Sequence, residues 1–549
     1  MKKLISLLLA LALPVCMLAG CGGESADDSK KDDSKEEAKS ANVLPMPEAA
    51  ASTDKYRNYY EIFTQSFADS DNDGTGDLEG IIDRLDYLND GDPSGGDDLG
   101  VDGLWLTPIY PSESYHKYNV EDYYNVDSSF GTLETFDKLL EECHKRGINV
   151  ILDLVLNHIS YKNPLFVSAC EEVKQGKLDG KAQLFEFHEP SYYAPDVNVI
   201  QVGDYVCEAN FSPTMPEWNL QSEATRQEFA KIAKFWLDRG VDGFRLDAVK
   251  YFTNKHTDGT EFLKWFTETC RGLKQDVYLI GEDWSDDSEM ETFYQSGIDS
   301  LFAFRFAQAS GEITQNIMTG EGQKLSKKFA NFDKKMSTAN PDYINAMFLS
   351  NHDQARIANA LESNGLAAEK LAANTYMLVP GNSFIYYGEE IGMKSEGTDA
   401  DRWHRLPMVF DSEKPQAITV EGAKASTTPT SGGVAQQLTD DDSLLNHYRT
   451  LIDFKLRYPE LARGRIKAQQ VFGDSAIAAY TVESNGKTFL VAHNFNADDT
   501  ATAEISDDVL SGAKLAGVFS GEADGEKPSL SGTTLKLPAY SSAVLVSSD

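Results

Sequence analysis

Six apolar runs of strand length, separated by amphipathic helices, predict an α/β fold: a (β/α)8 TIM barrel with a loop-rich insertion after strand 3 and a C-terminal all-β domain. The runs are GLWLTP (103–108), INVILDLVL (148–156), GFRLDAV (243–249), VYLIGE (277–282), INAMFLS (344–350) and NSFIYYG (382–388). Continuous apolar strands of this kind belong to a parallel sheet covered by helices on both faces. One intervening helix carries Phe136, Leu139, Leu140 and Cys143 at helical spacing and stops at Gly147. Another carries Phe229, Ile232, Ala233, Trp236 and Leu237, with Ser222 placed as its N-cap and Gly240 closing it. About eight such units over roughly 400 residues match the barrel.

Two stretches break the alternation. Residues 158–216 are loop-rich, with no strong helix beyond their start. After about residue 461 short alternating strands such as IAAYTV and TFLVAHNF predict a β-sandwich. The expected organisation is a signal peptide (1–20), a lipidated cysteine and disordered tether (21–55), a barrel (56–460) holding the insertion, and the sandwich (461–549).

At the N-terminus, Lys2 and Lys3 precede an apolar run over 4–13, too short for a stable membrane span. LAGC (18–21) then resembles a bacterial lipobox, which implies that Cys21 is lipidated and holds the protein on the outer side of the cytoplasmic membrane. Residues 24–41 contain no large apolar side chain and cannot form a core. The formal charge of −37 repels phosphate backbones and so excludes nucleic acid as a natural partner. Cys143, Cys170, Cys207 and Cys270 match no zinc spacing; a Cys170–Cys207 disulfide and buried free thiols both remain open.

The loop ADSDNDGTGDLEG (68–80) places oxygen ligands at every second position: Asp69, Asp71, Asp73, the carbonyl of Thr75, and Asp77. It is not an EF-hand, because the twelfth position is Gly80, and the preceding YYEIF is a strand rather than a helix.

Barrel chemistry sits at the C-terminal ends of the strands. DLVLNH brings Asp153, Asn157 and His158 there, GFRLDAVK brings Arg245 and Asp247, GEDW brings Glu282, and SNHD brings His352 and Asp353. Acids converging on one rim raise one another's pKa, and such crowding points to use. These four stretches, in this order, resemble the motif regions of the α-amylase family, glycoside hydrolase family thirteen, close to its oligo-1,6-glucosidase and neopullulanase intermediate subgroup. The resemblance implies Asp247 as nucleophile, Glu282 as general acid/base and Asp353 as stabiliser of the distorted sugar. Tyr118 (in SYHKYNVEDYY), His158, Arg245, Lys250 and His352 would contact the substrate, an α-glucan such as starch or a maltooligosaccharide. The Asp-rich loop would bind a structural Ca2+, while Lys250-Tyr251 stands where a second calcium site would need His.

The residues support such roles on their own terms. Arg245 and Asp247 lie two apart on one strand and so share a face, which lets the guanidinium pair with the Asp247 carboxylate. Glu282 follows apolar YLIG with no cation beside it in sequence, as suits an acid held protonated. Ala248 resembles α-1,4-cleaving members, Asn119 departs from the Asp of exo-acting ones, and MPEWN (215–219) is similar to a fifth region, with Trp218 unusual. The expected protein is a monomeric, extracellular, retaining α-glucan hydrolase acting on internal α-1,4 bonds. An α-glucosidase, neopullulanase or transglycosylase on the same scaffold is the alternative, and a non-catalytic glucan-binding lipoprotein the remote one.

Overall fold

The computed structural model describes residues 43–547, apart from 94–95, 195–196, 254–256, 397–400, 421, 424–428, 430, 469–471 and 523–524. The expected signal peptide, Cys21 and the tether as far as residue 42 lie outside the described residues. Among the described residues no helix is long and apolar enough to cross a membrane.

Eight parallel strands form the barrel: β1 (Asn58–Ile62), β2 (Gly103–Leu106), β3 (Asn149–Val155), β4 (Gly243–Asp247), β5 (Tyr278–Gly281), β6 (Ser300–Leu301), β7 (Ala346–Phe348) and β8 (Asn382–Tyr386). Their order is β7-β8-β1-β2-β3-β4-β5-β6. A bridge between Phe302 and Ala346, with Ala303 N–H donating to Ala346 O at 3.0 Å, brings the two edges together. Side chains alternate between lumen and helix layer with the two-residue strand period. The lower lumen is therefore filled by Tyr59, Trp105, Ile151, Tyr278, Phe302 and Phe384. Tyr59 stacks between Phe384 and Tyr278, with centroids 4.8 and 5.3 Å away. Two residues further along, the same inward positions are Glu61, Asp153, Arg245 and Ile280, and Asp247 and Glu282 follow at the rim. A mostly apolar plug thus sits beneath a layer that carries the acids and Arg245; alternation decides which residues face inward, and their identities set the level at which the lumen turns polar.

The expected helices form at Leu133–Lys145 and Glu223–Arg239. Gly240 closes the second in the left-handed region (φ 107°), whereas Ser222 occupies the N-cap position without a capping hydrogen bond. The insertion is more ordered than its composition predicts. It holds a helix, Pro164–Lys174, and a small antiparallel sheet of Phe187–His188, Val199–Val202 and Tyr205–Glu208. Strands of two to four residues are too short for alternation to reveal. All four described cysteines are free thiols, so the Cys170–Cys207 disulfide is absent.

C-terminal strands begin at Arg465 and form a five-stranded and a four-stranded sheet. Ile477, Leu490, Leu515, Leu535 and Leu545 share one core between them. The chain is anchored to this body earlier than the expected tether boundary at residue 55. Val43 bridges Leu515, Leu44 N–H donates to Leu515 O at 2.8 Å, and Asp54 accepts from Arg463 Nε at 2.7 Å. A strand edge and a guanidinium give this segment partners that its own sequence does not advertise.

Candidate active site

A cleft of about 650 Å³ opens at the C-terminal ends of the strands. Its lining includes Tyr118, His158, Asp247, Lys250, Glu282 and Asp353, which are six of the expected site residues. Arg245 and His352 lie directly beneath, both fully buried.

Arg245 organises the floor. Its Nη1 donates to Asp153 Oδ1 and Oδ2 (2.9 and 3.1 Å) and to Asp247 Oδ1 (2.8 Å), while Nη2 donates to Glu282 Oε2 (2.7 Å). Adjacent strands make this reach possible: Asp153 on β3 is in register with Arg245 on β4, which pairs with Ile280 on β5. One planar guanidinium thus holds three carboxylates from three neighbouring strands, a task that suits a fork of donors. Here the structure corrects the reading of Glu282. It does have an adjacent cation, reaching across from the next strand, which spacing along one strand does not reveal. Burial nevertheless pushes the Glu282 carboxyl well above the usual range, Arg245 opposes this, and Asp247 and Asp353 add to it. Burial likewise raises Asp153 to about 7 against the pull of Arg245.

Asp353 is set differently. Burial alone would raise it, but His352 and the guanidinium groups of Arg405 and Arg245 outweigh that and hold it at about 2. Arg405, which no sequence signal singled out, donates to Asp353 Oδ1 at 2.6 Å, to His352 O at 2.8 Å and to Tyr115 Oη at 2.8 Å. Two carboxyls in one cleft therefore carry opposite biases, one toward the protonated and one toward the ionised form, as acid/base chemistry requires.

His352 stacks on Tyr118 (centroids 5.6 Å, 8° between planes), and Tyr118 donates its hydroxyl to Asp153 Oδ2 at 2.9 Å. His158 packs against Phe211 in the cleft wall (4.9 Å), and burial lowers its pKa. Lys250 Nζ donates to Trp284 O at 3.0 Å. Exposed Phe211, Tyr251 and Trp284 line the cleft beyond the carboxylates; Trp284 is braced from behind by Phe304 at 4.7 Å. Exposed aromatic faces with rigid backing suit the apolar faces of sugar rings. His116 also lines the cleft, and burial lowers it to about 4.

This arrangement matches a known catalytic domain. A family profile described as "Alpha amylase, catalytic domain" matches residues 61–464. The chain belongs to the α-amylase family. A second profile, "Alpha-amylase SusG C-terminal domain", matches residues 477–544, within the sandwich. Alpha-amylase 3 of Dictyoglomus thermophilum is 35% identical over 449 residues, spanning 80% of this chain and 85% of that protein. An oligo-1,6-glucosidase of Heyndrickxia coagulans is 27% identical over 541 residues, spanning 82% and 93%. The solved structure of Eubacterium rectale Amy13B superposes with a TM-score of 0.82 at 34% identity, over 95% of this chain and all of that one. The protein is accordingly an α-amylase-family glycoside hydrolase, of a family that works with retention of configuration.

Away from the cleft, Asp69, Asp71 and Asp77 each bring one oxygen within 4.8 Å of the others. Asp73 is not part of that group; its Oδ1 accepts from Thr75 N–H at 2.8 Å. Asp69 turns the loop by accepting from Asn72 N–H (2.7 Å) and Gly74 N–H (2.9 Å), and Gly74 holds φ 97°. Three carboxylates on a tight loop make a donor set that fits a hard cation such as Ca2+, with one acid fewer than the spacing implied.

Proposed function

We propose that this hydrolase is an extracytoplasmic, lipid-anchored enzyme that cleaves internal α-1,4-glucosidic bonds of starch and maltooligosaccharides. The observation that carries the reading is Arg245 gripping Asp247 and Glu282 together, with Asp353 facing them in the same cleft. Asp247 attacks the anomeric carbon while Glu282 delivers its proton to the departing glycosidic oxygen. Glu282, now ionised, takes a proton from water, whose oxygen attacks the same carbon and releases Asp247, so two inversions leave an α-product. Asp353 stays ionised opposite the developing positive charge. Tyr118, His158, Lys250 and His352 hold the sugar.

The α-1,4 preference rests on Ala248, a small cleft residue beside Asp247. Endo action rests on Asn119, which is buried and donates to Thr214 Oγ1 at 3.0 Å instead of gripping a chain end in the cleft. The relation to an oligo-1,6-glucosidase favours a second reading, an exo-acting or α-1,6-cleaving enzyme. Anchoring rests on Lys2, Lys3 and the Leu18–Cys21 box. Asp69, Asp71 and Asp77 would hold a Ca2+ ion that stiffens the loop leaving β1.

Early products from amylose and pullulan, followed by chromatography and by NMR of the anomeric protons, test this. Short α-maltooligosaccharides are the expected outcome. Glucose as sole first product, β-anomers, or preferential attack on α-1,6 bonds would overturn it.

A further inference from the structure

Glu61 is the inward residue of β1 at the level of the polar layer, and it is 1% exposed. Among the described residues no lysine or arginine forms an ion pair with it. Its Oε1 instead meets His352 twice, at 3.2 Å from the backbone N–H and 2.6 Å from ring Nδ1. The opposite ring nitrogen, Nε2, faces two oxygens: Tyr118 Oη at 2.7 Å and Asp353 Oδ2 at 3.2 Å. The ring is fixed between these partners by Tyr118 and Phe63, stacked at 5.6 and 6.5 Å, and by the edge of Trp105 at 5.7 Å.

Counting protons along this chain leaves one consistent arrangement. Tyr118 has a single hydroxyl proton, and Asp153 Oδ2, held by the Arg245 guanidinium through both carboxyl oxygens, accepts it. Tyr118 oxygen must then accept from Nε2, so Nε2 carries the hydrogen. The reverse chain would aim the Nε2 lone pair at Asp353 Oδ2, 3.2 Å away on a carboxylate that Arg405 keeps charged. The ring is fully buried among Phe63, Trp105 and Tyr118, which disfavours a second ring proton; with Nε2 protonated, Nδ1 is then bare, and the 2.6 Å contact takes its proton from Glu61.

We infer that Glu61 is a positioning residue for the reaction proposed above: it is protonated, donates its hydroxyl to His352 Nδ1, and thereby fixes the Nε2–H form that points toward Asp353 and the cleft. Burial acts in the same direction on both partners, raising the Glu61 carboxyl well above its usual range and lowering His352 to about 3. In this form His352 donates Nε2–H to Tyr118 Oη and turns that hydrogen, not a lone pair, toward Asp353. Tyr118 is aimed through the same chain. The inference rests on the hydrolase reading only for its catalytic consequence; the proton assignment stands independently.

Nitrogen-15 NMR of the full chain labelled at histidine tests it, with the His352 ring, one of nine histidines, assigned by its disappearance in His352→Gln. The expected spectrum shows protonated Nε2 and bare Nδ1 at neutral pH. Glu61→Met should turn this into a mixture of tautomers and lower kcat on a maltooligosaccharide roughly 10- to 100-fold, by analogy with the loss of a partner that orients a metal-bound histidine, with KM changed less. Glu61→Gln, whose amide N–H can replace the donor, should keep most of the activity and the Nε2–H spectrum. A wild-type spectrum with Nδ1–H, whether Nε2 is bare or also protonated, overturns the inference, and so does a folded Glu61→Met that keeps both spectrum and kcat. If Glu61→Met does not fold, the wild-type spectrum decides alone. The expected spectrum from a chain that fails to cleave α-glucans would uphold the proton assignment while refuting the hydrolase reading.

Discussion

Arg245→Lys keeps the positive charge under the cleft but replaces two donor nitrogens with one. In the native site Nη1 serves Asp153 and Asp247, and Nη2 alone serves Glu282 at 2.7 Å. An ammonium placed near Nη1 keeps the first two partners and loses the third. A hydrogen bond to a charged group contributes about 1.5–3 kcal/mol, so kcat/KM on a maltooligosaccharide should fall roughly 10- to 150-fold at about 1.4 kcal/mol per decade. Because the lost bond belongs to the acid, the defect should shrink on α-maltosyl fluoride, whose leaving group needs no proton. Stability should change less than in Arg245→Met, which strands buried Asp153 and Asp247 together with Glu282 and should cost about 3–5 kcal/mol in urea unfolding. Steady-state kinetics on the two substrates with parallel unfolding curves makes the comparison. A lysine variant within threefold of wild type, or one equally impaired on both substrates, would refute the argument that Nη2 positions Glu282.

Three further outcomes are expected. Because the Glu282 carboxyl is raised, its protonated form persists toward neutral pH, and kcat/KM should decline on the alkaline side as that proton is lost; Glu282→Gln should stay folded, lose several orders of magnitude in turnover and lack this limb, and an unchanged profile refutes the role. Asp71→Ala should lower the melting temperature and abolish its dependence on Ca2+, since a cation held at 100 times its Kd stabilises the folded state by about 2.7 kcal/mol; a wild type indifferent to chelator means the loop is an acidic turn only. Cys21→Ala should release the enzyme or leave it uncleaved, read by detergent-phase partitioning of cells expressing each form, and a correctly cleaved variant that still partitions with detergent rules out lipid attachment there.

The sequence by itself determined the barrel, because a strand buried on both faces is largely apolar and six such runs announce themselves. The two-residue period also determined that Arg245 and Asp247 share a face, and the order of the rim motifs carried the family. β6, at two residues, and the insertion's short strands left no such trace. Only the tertiary structure decided the partners of each rim acid. Arg245 reaches Glu282 across thirty-seven positions and Arg405 reaches Asp353 across fifty-two; strand pairing and loop return set both contacts, and neither leaves a local pattern. Glu61 shows the same limit most sharply. In sequence it is one acid inside the apolar run YYEIF, yet closure of the barrel brings it to 2.6 Å from a histidine 291 positions away, in the segment after β7 and two strands across. The chain's local chemistry chose which residues face the lumen, while the order in which strands close the barrel chose which of them meet, and a proton's position depends on the meeting.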